Sequence, residues 1–561
     1  MVRPADYPPP VSAGEFVTAP TDAPDDRIDV GVLIVGAGPA GLACAIRFGQ
    51  LLSEDPETAE RLGEVPLAVV EKGRQPGSHL LSGAIVNPRS LRVLFGDKVR
   101  VEDIPGYGPV PRESVYVLTA RQAVTVPTPP PMRNHGNFIF SLSQLGRWLA
   151  ERAEEGGAMV LPETAATRLL VDDGAVVGVR TGDKGRGPDG RELGNFEQGS
   201  HIVAAVTVLA EGTQGHLTGA ALDHFGLHGP DPQVWELGVK EVWKVARPLD
   251  RVIHTMGWPL RPQARYREFG GSFIYPMGTE LLTIGMVVGL DYRDVELSAH
   301  DLLQELKLHP RIRPLLEGGE RLEWGAKTIP GGGFHALPTR FHAAGLLLCG
   351  DGPGLVNVPT LKGIHYAIES GRLAAEAAFR AVKAGNHDPL GSYDDALRAS
   401  FVWRDLYEVR DVRHAFGRGF FVGAMCAGAM TLSKGRIGLG RLRTTPDASQ
   451  PLLRTDRAAS YPAADGRLTF DKLSSVFAAG NKTRDDQPSH LRVASPVPRD
   501  VADLWVNMCP AKVYTAGEAG PDGLVAVETE PSNCVQCGAI AAKGGRLTPA
   551  EGGSGPEYVE T

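Results

Sequence analysis

Two groups of residues in this 561-residue chain have the types and spacing to do chemistry. The first is Gly36-Ala37-Gly38-Pro39-Ala40-Gly41, a G-x-G-x-x-G run. Its first glycine permits a tight turn, its second lets backbone approach a pyrophosphate, and its third lets a helix pack closely on a strand. The amino terminus of that helix then stabilises phosphate charge. Glu71 ends the next apolar run and is placed to accept hydrogen bonds from an adenosine ribose. It lies 30 residues past Gly41, rather than the usual ~20, because a polar insertion intervenes. The second group is Cys509, Cys534 and Cys537, three thiols at metal-ligand spacing near the carboxyl end. The remaining cysteines, Cys44, Cys349 and Cys426, sit among apolar neighbours and read as small buried hydrophobes. So large and cysteine-poor a chain is not a secreted disulfide framework, which predicts a reducing compartment.

Two further runs separate FAD from NAD. Leu209-Ala210-Glu211-Gly212 closes one apolar strand, and Leu346-Leu347-Leu348-Cys349-Gly350-Asp351 closes another. Asp351 can hydrogen-bond a ribityl hydroxyl of an extended FAD, with a helix cap as the lesser alternative for this residue alone. Gly352–Gly354 and the helix that follows place backbone N–H groups near the flavin ring or pyrophosphate. Asn357 and Lys362 lie just beyond and could hydrogen-bond the ring, tuning its potential. Lys72, directly after Glu71, and Ser82-Gly83 are counted with these cofactor contacts.

The elements that must position these residues follow from pattern. A strand over 29–35, a helix over 39–52 and a strand over 67–71 make a βαβ start, with residues 53–66 as a surface insertion. A helix over 141–155 has Ser141 as its N-cap, and residues 167–171 and 176–179 alternate as an antiparallel pair. Residues 182–199 read as a Gly-rich loop. Apolar strands recur at 204–210, 281–288 and 346–349, and from about Thr445 the pattern turns irregular and Pro-rich. With 42% hydrophobic and 22% charged residues the chain reads as a globular enzyme of two or three domains. A net charge of −8 gives no sign of a nucleic-acid partner. Residues 1–27 predict a disordered arm without a secretory signal, and no apolar run is long enough to span a bilayer.

Stretches from residue 30 onward then carry a specific resemblance. They include GAGPAGLACAIR (36–47), HLLSGAIVNP (79–88), MGWPL (256–260), GGSFIYPM (270–277), HPRIRPLLEGGERLEWGAK (309–327), NVPTLKGIHYAIESGRLAAE (357–376), DQPSHL (486–491) and CPAKVY (509–514). In that order they resemble the electron-transfer flavoprotein:quinone oxidoreductases, within the flavoprotein group that includes geranylgeranyl reductases. The resemblance implies an α/β fold: a three-layer, Rossmann-like FAD domain in segments 28–120, 201–235 and 326–444, interleaved with a sheet-rich quinone domain in 121–200 and 236–325. A ferredoxin-like iron–sulfur module would fill 445–561. It implies reduced electron-transfer flavoprotein as donor and a membrane quinone as acceptor, with electrons moving through FAD and the cluster and no acid–base catalytic residue. By position Gly270 and Gly271 would let a flat quinone head lie against backbone; a turn before strand 272–275 is the bland alternative.

Two points stay open in the sequence. In the family the thiol run continues C-x2-C-x2-C, whereas here Ile540 stands where the fourth cysteine belongs. A three-iron cluster, a four-iron cluster completed by another ligand or solvent, and a module without metal all remain; zinc fits the loop contexts less well. Residues 419–432 are uncharged, too short to cross a membrane, and flanked by Arg418, Lys434, Arg436, Arg441 and Arg443. They are either a buried small-residue helix or a surface-inserted one; the resemblance, which places a monotopic segment at 416–432, favours peripheral attachment at the cytoplasmic face of a membrane or an organelle inner membrane. Rival readings are a prenyl reductase or monooxygenase on the same flavin fold, and a non-catalytic docking protein of an electron-carrier complex. His79, His216, His365 and His490 read as structural rather than as general bases.

Overall fold

The structure is a computed structural model that describes residues 2–561 apart from 13, 22–25, 361, 417–419, 434–435 and 437–442. Strand Arg27–Val35 buries every residue from Val30 onward, the mark of a parallel strand covered on both faces. It pairs in parallel with Leu67–Val70 on one side and His201–Leu209 on the other, and the latter pairs in parallel with Leu346–Leu348. These strands belong to a nine-stranded sheet. All four run the same way, so Gly36, Glu71, Ala210-Glu211 and Gly350-Asp351 emerge at one edge. A crevice at the carboxyl ends of parallel strands is where such folds bind ligands. Helix Pro39–Glu54 covers this sheet together with helix Ile364–Ala384, and the two cross so closely that a Cβ on Gly371 would lie 1.9 Å from the Ala40 carbonyl oxygen.

The second sheet has seven strands in the order Glu320–Pro330, Trp235–Lys244, Leu281–Gly289, Gly270–Met277, Arg251–Gly257, Arg112–Leu118, Ala123–Val126. One face packs on helix Ala299–Lys307 and carries Leu237, Ile274, Ile284 and Trp324 into the core; the other presents Phe273, Tyr275 and Val287 toward the crevice. The carboxyl-terminal module packs helix Arg499–Met508 against a three-stranded antiparallel sheet and shares the core of the seven-stranded one. Trp505 is fully buried and donates to the Lys543 carbonyl at 2.8 Å, while Lys543 Nζ donates to Tyr292 O at 2.9 Å. Truncating a buried Trp of this kind costs about 3–5 kcal/mol.

Ladder hydrogen bonds redraw the expected segments. Arg112–Leu118, assigned to the FAD domain, pairs in parallel with Arg251–Gly257 in the seven-stranded sheet. Met159–Leu161, Ala166–Asp172 and Ala175–Thr181, assigned to the quinone domain, belong instead to the nine-stranded sheet. The seven-stranded sheet also keeps residues 326–330. The amino-terminal segment is not a free arm where it is described: Val17–Thr18 adds to Leu169–Leu170, and Leu452 N donates to Val2 O at 2.9 Å. Its apolar side chains Val2, Phe16 and Val17 supply the burial that composition alone concealed. The Gly-rich stretch 182–199 forms a hairpin, Lys184–Arg186 with Glu192–Glu197, and the insertion at 53–66 contains a helix, Pro56–Arg61, capped by Asp55. Ser141 caps helix Leu142–Glu155 as expected, accepting from Gln144 N at 3.2 Å.

Candidate functional site

The crevice opens into a cavity of about 280 Å3 between the two sheets. Gly36, Gly38, Pro39, Ala40, Glu71, Lys72, Ser82, Gly83, Glu211, Gly212, Gly350 and Asp351 all line it. Gly36 holds φ +107°, and a Cβ there would come within 2.5 Å of the Ala210 carbonyl oxygen, so the turn requires glycine. Gly38 precedes helix Pro39–Glu54 as an N-cap with no side chain, leaving the first N–H groups open to the cavity. Glu71 accepts from Ala37 N at 2.9 Å and Gly73 N at 2.7 Å, which fixes both loops. Glu211 accepts from Leu217 N and Thr218 N. Three expected contacts fall elsewhere. A Cβ on Gly41 would sit 2.0 Å from Gly36 O, so it serves helix-on-strand packing, and Gly354 abuts Gln233. Buried Asn357 braces its own loop, its N donating to Lys362 O at 3.0 Å and its Nδ2 to Tyr366 OH at 3.3 Å.

Asp351 provides the test of what this cavity suits. Its carboxyl is half-buried at the cavity wall, makes no side-chain hydrogen bond among the described residues, and is pushed up to about 6 by desolvation. A desolvated carboxyl without a protein partner suits a hydroxyl donor from a ligand. With an open helix terminus for diphosphate and Glu71 at the next strand end, the residues present fit an extended FAD. His79 and His216 also line the cavity, and burial lowers both, His216 to about 3, which keeps them neutral.

A second cavity of about 420 Å3 lies behind the first, and Glu236, Phe273, Val287 and Val358 line both. Its walls are largely apolar: Leu260, Phe269, Val412 and Phe416 are among them. Gly270 and Gly271 line it as expected, but for a reason the sequence does not carry. Their missing side chains make room for neighbouring strands, since a Cβ on Gly270 would meet Val287 O at 2.0 Å and one on Gly271 would meet Thr255 O at 2.5 Å. Helix Phe420–Leu432 borders this cavity through Ala427 and Gly428 and exposes Met425, 71% accessible, and Val422. Of the basic flank, Arg436 and Arg443 are exposed; Arg418, Lys434 and Arg441 lie outside the described residues, as does Gly419. No helix among the described residues is long and apolar enough to cross a membrane.

The three thiols line one small buried cavity with Met508, Tyr514, Leu491 and Ile540. Backbone N–H groups point at sulfur: Val513 N to Cys509 Sγ and Gln536 N to Cys534 Sγ, both at 3.4 Å. Burial pushes all three thiols up, Cys537 to about 12, while Lys472 faces Cys509, Lys72 faces Cys534 and Lys327 faces Cys537 to favour their thiolates. No three His, Cys, Asp or Glu residues among those described converge tightly enough for a single metal ion. N–H donors and a lysine per sulfur suit a larger anionic cluster held by three thiolates. They do not suit one held by four, because buried Ile540 offers no ligand. Gln536, between two of the cysteines, joins this pocket to the first cavity: Lys72 Nζ donates to its Oε1 at 2.7 Å and Lys327 Nζ to its carbonyl at 3.1 Å. Neither Lys327 nor Gln536 carries a motif that would have found it.

Comparison with known proteins decides the family. Residues 235–329 match the ubiquinone-binding domain described as ETF-QO, ubiquinone-binding, and residues 466–559 match that described as Electron transfer flavoprotein-ubiquinone oxidoreductase, 4Fe-4S. The mitochondrial electron transfer flavoprotein-ubiquinone oxidoreductase of Oryza sativa subsp. japonica is 37% identical across 94% of this chain and 92% of its own length. The Homo sapiens protein of the same name is 36% identical across 94% of this chain and 88% of its own. The chain belongs to the electron transfer flavoprotein-ubiquinone oxidoreductase family. Among solved structures, a geranylgeranyl bacteriochlorophyll reductase-like protein from Thermoplasma acidophilum superposes with a TM-score of 0.55 at 16% identity, over 75% of this chain and 95% of its own. That likeness is one of fold.

Proposed function

We propose that this protein takes electrons from reduced electron-transfer flavoprotein and passes them through FAD to a membrane quinone. The observation that carries the proposal is the pair of cavities sharing one wall, the first built for a dinucleotide and the second apolar and inside the region matching the ubiquinone-binding family. Gly36, Gly38, Pro39 and Ala40 hold the diphosphate against the helix terminus. Glu71 and Asp351 accept ribose and ribityl hydroxyls, and Glu211, Gly212 and Gly350 shape the floor. Lys72, Ser82 and Gly83 close the cavity from the loop after the second strand. FAD bound there supplies one- and two-electron chemistry. The chain's own contribution is to orient it, keep water out and set the apolar cavity beside it.

The protein sits on a membrane surface in this reading, without crossing it. Exposed Met425 and Val422 on a helix that borders the second cavity give a lipid-soluble quinone an access route, and Arg436 and Arg443 face anionic headgroups. No step is drawn through the thiol pocket, whose ligands fall short of four.

The test is stopped-flow spectroscopy of the purified flavin-loaded protein. Reduced electron-transfer flavoprotein should bleach its flavin, and a soluble quinone analogue should restore the colour. A flavin indifferent to the carrier, or one reoxidised by a geranylgeranyl substrate and not by quinone, would replace this reading with the prenyl reductase one.

A further inference from the structure

The carboxyl-terminal module matches a family described by a four-iron, four-sulfur cluster, yet its pocket offers three thiols. The disagreement is local. Cys537 stands three residues after Cys534, and Ile540 three residues after Cys537. Gly538 holds φ +88° and caps a one-turn helix, Ala539–Ala542. That helix brings Ile540, 4% exposed, into the wall of the pocket the three cysteines line, at the corner where their spacing calls for a ligand. Lys543 N and Gly545 N both donate to the Ile540 carbonyl, at 3.0 and 2.9 Å. A Cβ on Gly545 would lie 2.5 Å from Ile540 Cγ1, so the chain passes directly against the isoleucine where only glycine can. The corner is packed shut.

A fourth iron would need a donor other than cysteine, and the walls are poor in them. Among the described residues no His, Asp or Glu lines the pocket. His490 adjoins the wall residue Leu491, but His490 itself is not part of the wall. Solvent is no better served. An ordered water needs room and two to four polar partners, whereas Leu491, Met508, Val513, Ala539 and Leu547 make up most of the lining. The single side-chain oxygen there is the Tyr514 hydroxyl. The module is not a decayed one, however. Its three thiols are free rather than disulfide-linked, and the Val513 and Gln536 N–H groups still point at two of the sulfurs.

We infer that this module holds a three-iron, four-sulfur cluster, with one thiolate on each iron and Ile540 closing the corner where a fourth iron would sit. In a cube that lacks one iron, each remaining iron binds three sulfides and one thiolate, so three cysteines complete every coordination shell. A fourth iron would bind three sulfides and then face a methyl group, which has no electron pair to give. The cluster's composition is independent of the quinone-reductase reading, since it concerns what the module holds and not where electrons go.

The test is iron and sulfide analysis, with native mass spectrometry, of the full flavin-loaded chain purified without oxygen. The expected count is about three irons and four sulfides per chain, with an EPR signal in the oxidised protein that disappears on one-electron reduction. A four-iron cluster that has lost an unprotected iron gives the same count, so the protein is next incubated anaerobically with ferrous iron and dithionite. Wild type should stay at three irons, and so should Tyr514→Phe. Ile540→Cys, treated in the same way, should take up a fourth and lose the EPR signal of its oxidised form. Four irons in wild type, before or after that treatment, would overturn the inference, and a drop from four to three in Tyr514→Phe would name the phenol as the missing ligand. Flavin-loaded protein without iron would overturn it in favour of a module without a cluster. A folded Ile540→Cys that stays at three irons would remove Ile540 from the vacant corner. Should that variant fail to fold, the wild-type counts and spectra decide alone.

Discussion

The first cavity and the thiol pocket are neighbours joined through Gln536, yet they respond differently to loss of a motif residue. The first cavity is built largely from backbone: an open helix terminus, strand ends and glycines that permit close approach. Its motif members are all present, and the ones that do not touch the cavity, such as Gly41, still hold the architecture. The thiol pocket depends on side-chain ligands, and Ile540 stands where one belongs. A backbone-built site stands or falls as a unit with its fold, whereas a ligand-built site can lose one member and keep its loops, its N–H donors and its lysines.

The sharpest way to break that contrast is Gly36→Ala. Its Cβ would strike the Ala210 carbonyl and its φ is forbidden to L-residues, so flavin affinity should fall at least ~100-fold, about 3 kcal/mol, as read by flavin retention on gel filtration. Next comes Asp351. Its folded value of about 6 exceeds its unfolded value near 3.8, so the apoprotein is favoured at low pH and loses stability as pH rises from about 4 to 6. The slope is about 1.4 kcal/mol per unit. Denaturant titrations at several pH values should show it in wild type and not in Asp351→Asn. The same variant should bind FAD about tenfold more weakly, the loss of a hydrogen bond to a charged acceptor. On the other side, Ile540→Cys should supply a fourth thiolate and so change the iron bound per chain or the EPR signature. Unchanged iron content would show that the fourth position is not where a cluster corner lies. The smallest effect on the flavin is expected from Gly270→Ala, which should lower stability by a few kcal/mol while the flavin spectrum of the surviving protein is unchanged.

Much of the first cavity was legible because its residues are local: each sits at the end of an apolar run that announces a parallel strand. The thiol spacing and its missing member were legible for the same reason. What could not be read was non-local. Arg112–Leu118 looks like any strand until its partner, Arg251–Gly257, is known, so the boundaries of the interleaved segments went astray. Gly270 and Gly271 were found by resemblance, but their reason, the close approach of Val287 and Thr255 carbonyls, belongs to tertiary packing. The amino-terminal segment misled because Pro, Ala and Asp dominate its composition, while three apolar side chains decide its fate.

Gln536 has a consequence for how the two halves can be repaired or redesigned. Its side-chain amide holds Lys72 and its main-chain carbonyl holds Lys327, so one residue keeps two ammonium charges turned toward the cysteine loop. Shortening that side chain would release Lys72 and leave its positive charge free to turn toward the dinucleotide chamber, where it would attract electron density to whatever ring lies nearby. An editor working on the sulfur side alone would thereby be adjusting the voltage of the other.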